Sequence, residues 1–228
     1  MTRWPRLLPV LAVLSCSGLD QGEGGVVALE VEVPVPPTVE VGDTLQLHAI
    51  ALDANGDPVD AAISWTAADP TLTVNATGLV TGVSPGNGRV QAREGSLASN
   101  VVSLGVVARA DTLLLVGDSI RTIPADSGNS GDLVTELRTF TPEGPVEGHA
   151  VTYDITYPVG GTTPGVTLTG GAQTATVSTG IDGTVVGMRL IHVPGQPPVD
   201  SAVVTVSAER TRGAPVPGSG QRFVIRFE

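Results

Sequence analysis

Val41-Gly42-Asp43-Thr44-Leu45-Gln46-Leu47-His48-Ala49-Ile50-Ala51-Leu52-Asp53-Ala54-Asn55-Gly56-Asp57-Pro58-Val59-Asp60-Ala61-Ala62-Ile63-Ser64-Trp65 reads as strand, turn, strand. Leu45, Leu47, Ala49 and Ala51 fall on one side of a period-2 ladder, with Gln46 and His48 on the other. Asp53 to Pro58 breaks the ladder with residues that favour or impose turn dihedrals. Ile63 and Trp65 resume it, with Ser64 between them facing out.

The surrounding composition fits many short strands. The chain has 228 residues, 41% hydrophobic and 15% charged, which is enough apolar material for one or two cores. Its 29 Gly and 18 Pro are roughly a fifth of the residues, and no window of about a dozen residues is free of Gly, Pro or β-branched clusters. Long helices are therefore not expected. The formal net charge is −11, and all 12 basic residues are Arg, a bias that fits a GC-rich genome. With no basic patch, nucleic acid and anionic lipid surfaces are disfavoured as partners.

The N-terminus has the form of an export signal. Arg3 and Arg6 precede an apolar run, Leu7 to Leu14, too short to span a bilayer as a helix of about 20 residues. Val13-Leu14-Ser15-Cys16 then resembles a bacterial lipobox, although Leu14 stands where a smaller residue is commoner. That resemblance implies cleavage before Cys16 and lipidation of its thiol. The ordinary alternative is a cleaved signal that happens to contain a Cys. Cys16 is the single cysteine of the chain, which in an exported protein favours the lipid anchor. Ser17 follows it, and no Asp there marks retention at an inner membrane. Loss of Arg3 and Arg6 leaves ten arginines against 23 carboxylates, a balance of −13. Residues 16–25 read as a flexible tether of small and acidic residues.

From about Val26 strand follows strand: Val27 to Val33, the opening stretch, Leu72 to Val74, Leu79 to Val83, Val90 to Ala92 and Val101 to Val107. About seven short strands in roughly 80 residues make a β-sandwich. Within it, V-G-D-T-L-Q-L, D-A-N-G-D-P-V, I-S-W-T-A-A-D-P and T-G-L-V-T-G-V-S-P-G occur in order. These four motifs resemble the bacterial Ig-like domain, group 2, the repeat module of intimin-type adhesins and other surface proteins. The resemblance covers about Val26 to Ala108. It implies that Trp65 fills the space between the sheets, without the antibody-type disulfide.

A second unit is expected over residues 109–228. Val116-Gly117-Asp118-Ser119 echoes Val41-Gly42-Asp43-Thr44 at an offset of 75, and Glu143 to Tyr153 echoes Asn55 to Trp65 at an offset of 88. The difference implies roughly 13 extra residues, placed in the loop-like Ile123 to Gly131. Tyr153 takes the place of Trp65, and Arg222 to Phe227 closes the unit with Phe223 and Phe227 facing inward. Glu143 to Tyr153 also resembles invasin-type Ig repeats, more loosely. The fold class expected is all-β: two tandem immunoglobulin-like β-sandwich domains after a signal peptide. The divisions are 1–15, 16–25, 26–108 and 109–228.

Several stretches imitate catalytic or metal sites. Leu114 to Ile120, with Gly117-Asp118-Ser119, resembles the nucleophile block of the GDSL hydrolases. That family needs an Asp and a His three apart; Arg189 and Val146 stand three before His192 and His149. Asp53-Ala54-Asn55-Gly56-Asp57 starts like a calcium loop, but Pro58 and Ser64 occupy the positions that need Gly and Glu. Asp111, Asp118 and Asp182 are acids near domain ends that would suit a junctional calcium, without a spacing that demands one. His48, His149 and His192 lack metal-ligand spacing, and Asn75-Ala76-Thr77 reads as a turn. Phe140 and Tyr157 are the aromatics left over from the cores, so they alone would serve sugar stacking.

The expectation is a non-enzymatic lipoprotein of the cell envelope, at an outer membrane or the cell surface, for adhesion or structural display. Its partners are the membrane, through Cys16, and a protein or polysaccharide ligand, with no catalytic residue, metal or cofactor. A secreted or periplasmic location is the alternative. A carbohydrate- or polymer-binding module is the second functional reading and a GDSL-type esterase the third. Labelled fatty acid is expected to enter the wild-type chain and not Cys16→Ala; equal labelling of both would refute the anchor.

Overall fold

The computed structural model describes residues 25–124, 128–158, 165–193 and 199–228, so the export signal, Cys16 and most of the tether lie outside the described residues. The described residues form 22 strands and no helix. Eleven belong to the first unit: β1 (Ala28–Glu32), β2 (Thr38–Glu40), β3 (Thr44–Gln46), β4 (His48–Leu52), β5 (Pro58–Val59), β6 (Ser64–Ala67), β7 (Leu72–Val74), β8 (Leu79–Gly82), β9 (Gly86–Glu94), β10 (Leu97–Ala98) and β11 (Val102–Val107). Eleven belong to the second: β12 (Thr112–Leu115), β13 (Ile120–Ile123), β14 (Thr135–Phe140), β15 (Glu143–Pro145), β16 (Ala150–Tyr157), β17 (Val166–Leu168), β18 (Thr174–Ser178), β19 (Thr184–Val185), β20 (Leu190–His192), β21 (Ser201–Ser207) and β22 (Gln221–Phe227).

In the first unit the opening stretch serves two sheets. β3 pairs with β8 in the order β3-β8-β7, while β4 pairs with β1 and β5. The expected single strand is therefore interrupted at Leu47, whose N–H donates to the Gly78 carbonyl at 3.0 Å. The period-2 burial survives the break: Leu45, Leu47 and Ala51 are buried, and His48 and Ile50 are exposed. The facing sheet runs β10-β9-β11-β2, with β6 also on β9. Leu45, Leu47, Leu72, Val80, Val90, Leu104 and Val106 fill one cluster between the layers, and Val26, Leu29, Ala51 and Ala92 a smaller one.

Trp65 departs from its expected place. It is half-buried and touches both clusters from their seam instead of filling either. The ring lies against Gly78, which has φ +82° and where a Cβ would come within 2.9 Å of the Trp65 ring and 2.7 Å of the Leu47 carbonyl. One edge of the indole opens on a shallow groove with His48, Ala61 and Thr77.

The second unit has one continuous core. β14 pairs with β12, β15 and β19, and the facing sheet runs β13-β22-β21-β16-β18. Tyr153 and Phe223 are the largest side chains with no exposed surface. Each such burial is worth on the order of 1.5–3 kcal/mol of apolar transfer. The Tyr153 hydroxyl meets Thr135 Oγ1 at 2.6 Å and donates to the Leu133 carbonyl at 3.1 Å. Burial pushes its pKa up to about 12.

The same closing device recurs in both units. A short strand near the start pairs in parallel with the last strand: β2 on β11, Thr38 opposite Gly105, and β13 on β22, Ile120 opposite Val224. This device corrects the alignment of the repeats. Val41 to Thr44 follows its parallel strand and leads into β3, whereas Val116 to Ser119 precedes its own. The segment leading into β14 is Gly131-Asp132-Leu133-Val134. Gly42 and Gly131 both have positive φ, 81° and 69°. Gly42 to Gly131 is an offset of 89, and Gly56 to Gly144 and Trp65 to Tyr153 are both 88, so no 13-residue insertion lies between these motifs. The second unit is longer elsewhere. Eleven residues, against three, separate the parallel strand from the next one; β18 is an added edge strand; and 13 residues, 208–220, join β21 to β22.

Tyr153→Phe keeps the ring but strands two buried hydrogen-bonding groups. It is expected to cost about 1–3 kcal/mol in urea unfolding, and an unchanged midpoint would refute the role given to the hydroxyl.

Candidate functional site

The acidic turn after β4 is closed on itself. Asp53 Oδ1 accepts the N–H groups of Asn55 at 2.8 Å and Asp57 at 2.9 Å, and Gly56 takes φ +85°. Those backbone hydrogen bonds, from Asp57 first and then Asn55, hold the Asp53 carboxyl below its usual pKa. This is Asx-turn chemistry, with both backbone donors on the one oxygen. Asp182 does the same at the turn before β19, accepting from Thr184 N at 3.0 Å and Thr184 Oγ1 at 2.8 Å. Among the described residues no three His, Cys, Asp or Glu side chains come together as a metal set.

Gly117-Asp118-Ser119 is the lead-in to an edge strand. The Ser119 carbonyl accepts Val224 N–H at 2.7 Å, and the Asp118 carbonyl accepts Arg121 Nε at 2.9 Å. No helix follows to build a nucleophile elbow, and among the described residues no hydrogen bond links the Ser119 side chain to a histidine. His149 Nε2 meets the Glu209 carbonyl at 2.8 Å, His48 is exposed, and His192 is half-buried in β20.

The enlarged segment after β13 is tied down at its end. Arg121 Nη1 donates to the Asp132 carbonyl at 2.7 Å, and its guanidinium lies 5.6 Å from the Phe223 ring centroid. Ser130 Oγ accepts Leu190 N–H at 3.0 Å. Arg189 Nε lies 2.5 Å from Asp132 Oδ1, and that contact is the main cause of the lowered Asp132 pKa.

A more extensive polar constellation joins the two units. Glu40, at the end of β2, is 2% exposed. Its Oε1 accepts Thr211 N–H at 2.8 Å and Thr211 Oγ1 at 3.1 Å, from the long β21–β22 connection. Arg212 Nη2 donates to the Thr38 carbonyl at 3.0 Å. Arg109 reaches both ways, with Nη1 3.5 Å from Asp43 Oδ1 and Nε 2.9 Å from Asp111 Oδ1, the latter an ion pair without hydrogen-bond alignment. Arg210 lies 3.5 Å from the same Asp111 oxygen and donates to the Ala110 carbonyl. Asp111 Oδ2 accepts Phe140 N–H at 2.8 Å. Beside this network is a cleft of about 380 Å3 lined by Val41, Gly42, Arg109, Asp111, Phe140 and Thr141.

The structure separates Asp111, now a junction residue paired with two arginines, from Asp182, occupied in its own turn. Phe140 stands 61% exposed at the cleft, and Tyr157 stands 53% exposed at the end of β16. Sequence reading missed Glu40, Thr211 and Arg212. They are far apart in the chain, and the only local signal was a carboxylate placed among valines in Val39-Glu40-Val41.

No curated protein is matched. Among solved structures, the chain is similar to the Yersinia pseudotuberculosis adhesin InvE at 15% identity and TM-score 0.42, covering 91% of this chain and 61% of that one. It is similar to the Escherichia coli adhesin FdeC at 15% identity and TM-score 0.43, covering 88% and 64%. Domains 4 and 5 of the S-layer protein SbsC match at 15% identity and TM-score 0.34, covering 89% and 98%. The chain thus spans less than two thirds of either adhesin structure. The family model of the bacterial Ig-like domain (group 2) matches residues 30–102, which takes in β2 to β10 and most of β1. Residues 30–102 of this chain belong to the bacterial Ig-like domain family, group 2.

Proposed function

We propose that this protein is a non-enzymatic lipoprotein of the cell envelope that holds a binding face away from the membrane on two stiffly joined Ig-like sandwiches. Cys16 carries the lipid after removal of residues 1–15, residues 16–25 are the tether, and the units span 26–108 and 109–228. The second unit is the outer one, and its ligand is met at the cell surface.

The observation that carries this reading is the junction. A flexible pair of domains would show an exposed linker with few contacts across it. Here a buried carboxylate of the first unit is hydrogen-bonded by the extended β21–β22 connection of the second, and Arg109 is shared between Asp43 and Asp111. Stiffness of this kind suits a spacer or presenting arm, because it fixes the direction in which the distal sheet faces.

Two outcomes are expected. Protease added to intact cells removes the second unit; protection until the outer membrane is opened would make the protein periplasmic and sink the display role. Glu40→Ala removes the acceptor for two donors and is expected to weaken the coupling by about 1–3 kcal/mol. Distances between spin labels on the two units should then broaden, while Glu40→Gln, which keeps an acceptor oxygen, stays narrow. Equal distributions for wild type and Glu40→Ala would refute the brace.

A further inference from the structure

The sheet β13-β22-β21-β16-β18 has one face on the core and the other in solvent. Ala202, Val204 and Val206 of β21 and Phe223 and Ile225 of β22 are buried, so the alternate residues of both strands face out. In β16 the register shifts between Ile155 and Tyr157, a bulge that brings Tyr157 opposite Val203. Thr156 shares that face, its hydroxyl 2.9 Å from Thr205 Oγ1.

Strand pairing then builds a row across the outer face: Tyr157, Val203, Val224, Ile120. Its two ends, Tyr157 and Ile120, are 53% and 60% exposed. The row on one side holds Asp154, Thr205 and Arg222, and the row on the other Ser201, Arg226 and Thr122. Arg222 and Arg226 therefore bracket the apolar row. Four residues apart on one strand, their backbones are separated by about 13 Å.

These two arginines differ from most others. Arg89, Arg109, Arg138, Arg189 and Arg210 each lie against a carboxylate. Among the described residues Arg222 and Arg226 form no ion pair, although the chain carries a net charge of −11. Asp154 of the same face is taken up by the Thr174 hydroxyl and stands two strands from Arg222. Glu228 lies beyond Arg226 and is paired with neither arginine.

We propose that this face binds an acidic polysaccharide, a polymer of uronic-acid-type sugars. The apolar side of a sugar ring packs on the Tyr157 row, and carboxylates along the polymer take the two guanidinium forks. The hydroxyls of Thr156 and Thr205, bonded to each other at 2.9 Å, lie on the same face. Spaced contacts on one polymer add as linked sites, which suits a flat face better than a pocket. A second copy of this chain fits poorly, because two such faces together set arginine against arginine. The inference rests on the protein being a binding module and adds which face binds and what chemistry it recognises.

The test uses the purified full chain against immobilised polygalacturonate, with dextran as a neutral polymer and polyphosphate as a different anion. Binding to polygalacturonate is expected to exceed binding to both. Arg222→Gln combined with Arg226→Gln should weaken it about tenfold or more, and added salt should weaken the wild type. Tyr157→Ala should weaken it while Tyr157→Phe, which keeps the ring, should not. Arg93→Gln, an exposed arginine on the first unit, should leave it unchanged. Absence of polygalacturonate binding overturns the proposal. So does equal capture by polyphosphate, or an Arg93→Gln loss as large as that of the pair. Self-association abolished by the double variant would assign the face to a second copy and also overturn it. Protease accessibility on cells is read separately: binding by a protein that is not displayed sinks only the display role, and display without binding sinks only this inference.

Discussion

The parallel pairing of a short early strand with the last strand closes each unit, β2 on β11 and β13 on β22. A sheet edge left open exposes unpaired backbone groups, and this strand covers the edge of the closing strand in both units. It also brings the start and end of each unit together. That placement puts Glu40, at the end of β2, within reach of the next unit. It likewise sets β13 beside β22, which completes the outer row ending at Ile120.

The two units solve the same packing problem differently. The first divides its core into two clusters with Trp65 at the seam. The second buries Tyr153 and Phe223 completely in one cluster and satisfies the tyrosine hydroxyl inside it. Its additional residues go into edges and connections. One connection becomes the brace against the first unit, and the added strand β18 widens the solvent-facing sheet. The junction thus uses what the second unit has beyond the first, whereas β13, β22, β21 and β16 of the outer face answer to β2, β11, β9 and β6 of the first.

Much of the fold was legible. Period-2 alternation located β1, the opening stretch, β11 and β22, because a half-buried strand must alternate, while β14 was not read as a strand. The Asp53–Pro58 turn was legible as a turn, and the structure closes it with hydrogen bonds from Asn55 and Asp57 to Asp53 Oδ1. The short echo of Val41 to Thr44 at Val116 was not a true counterpart. Four residues that merely suit a positive-φ entry to a strand recur wherever such an entry is needed. The closing strand pairs, which no local pattern encodes, showed that Gly131-Asp132 is the corresponding entry. The full burial expected for Trp65 failed for a related reason, since burial depends on how two sheets close and not on alternation alone.

By itself the sequence determined the all-β class, the strand periodicity, the group 2 motifs of the first unit and the scarcity of positive charge. These follow from side-chain chemistry and local backbone preference, which act over a few residues. Only the tertiary structure decided three things: which strands cover the edges, that Glu40 meets Thr211 across 171 positions, and that Tyr157, Arg222 and Arg226 share one face. Those depend on register, and one bulge in β16 is enough to turn Tyr157 onto the face it occupies.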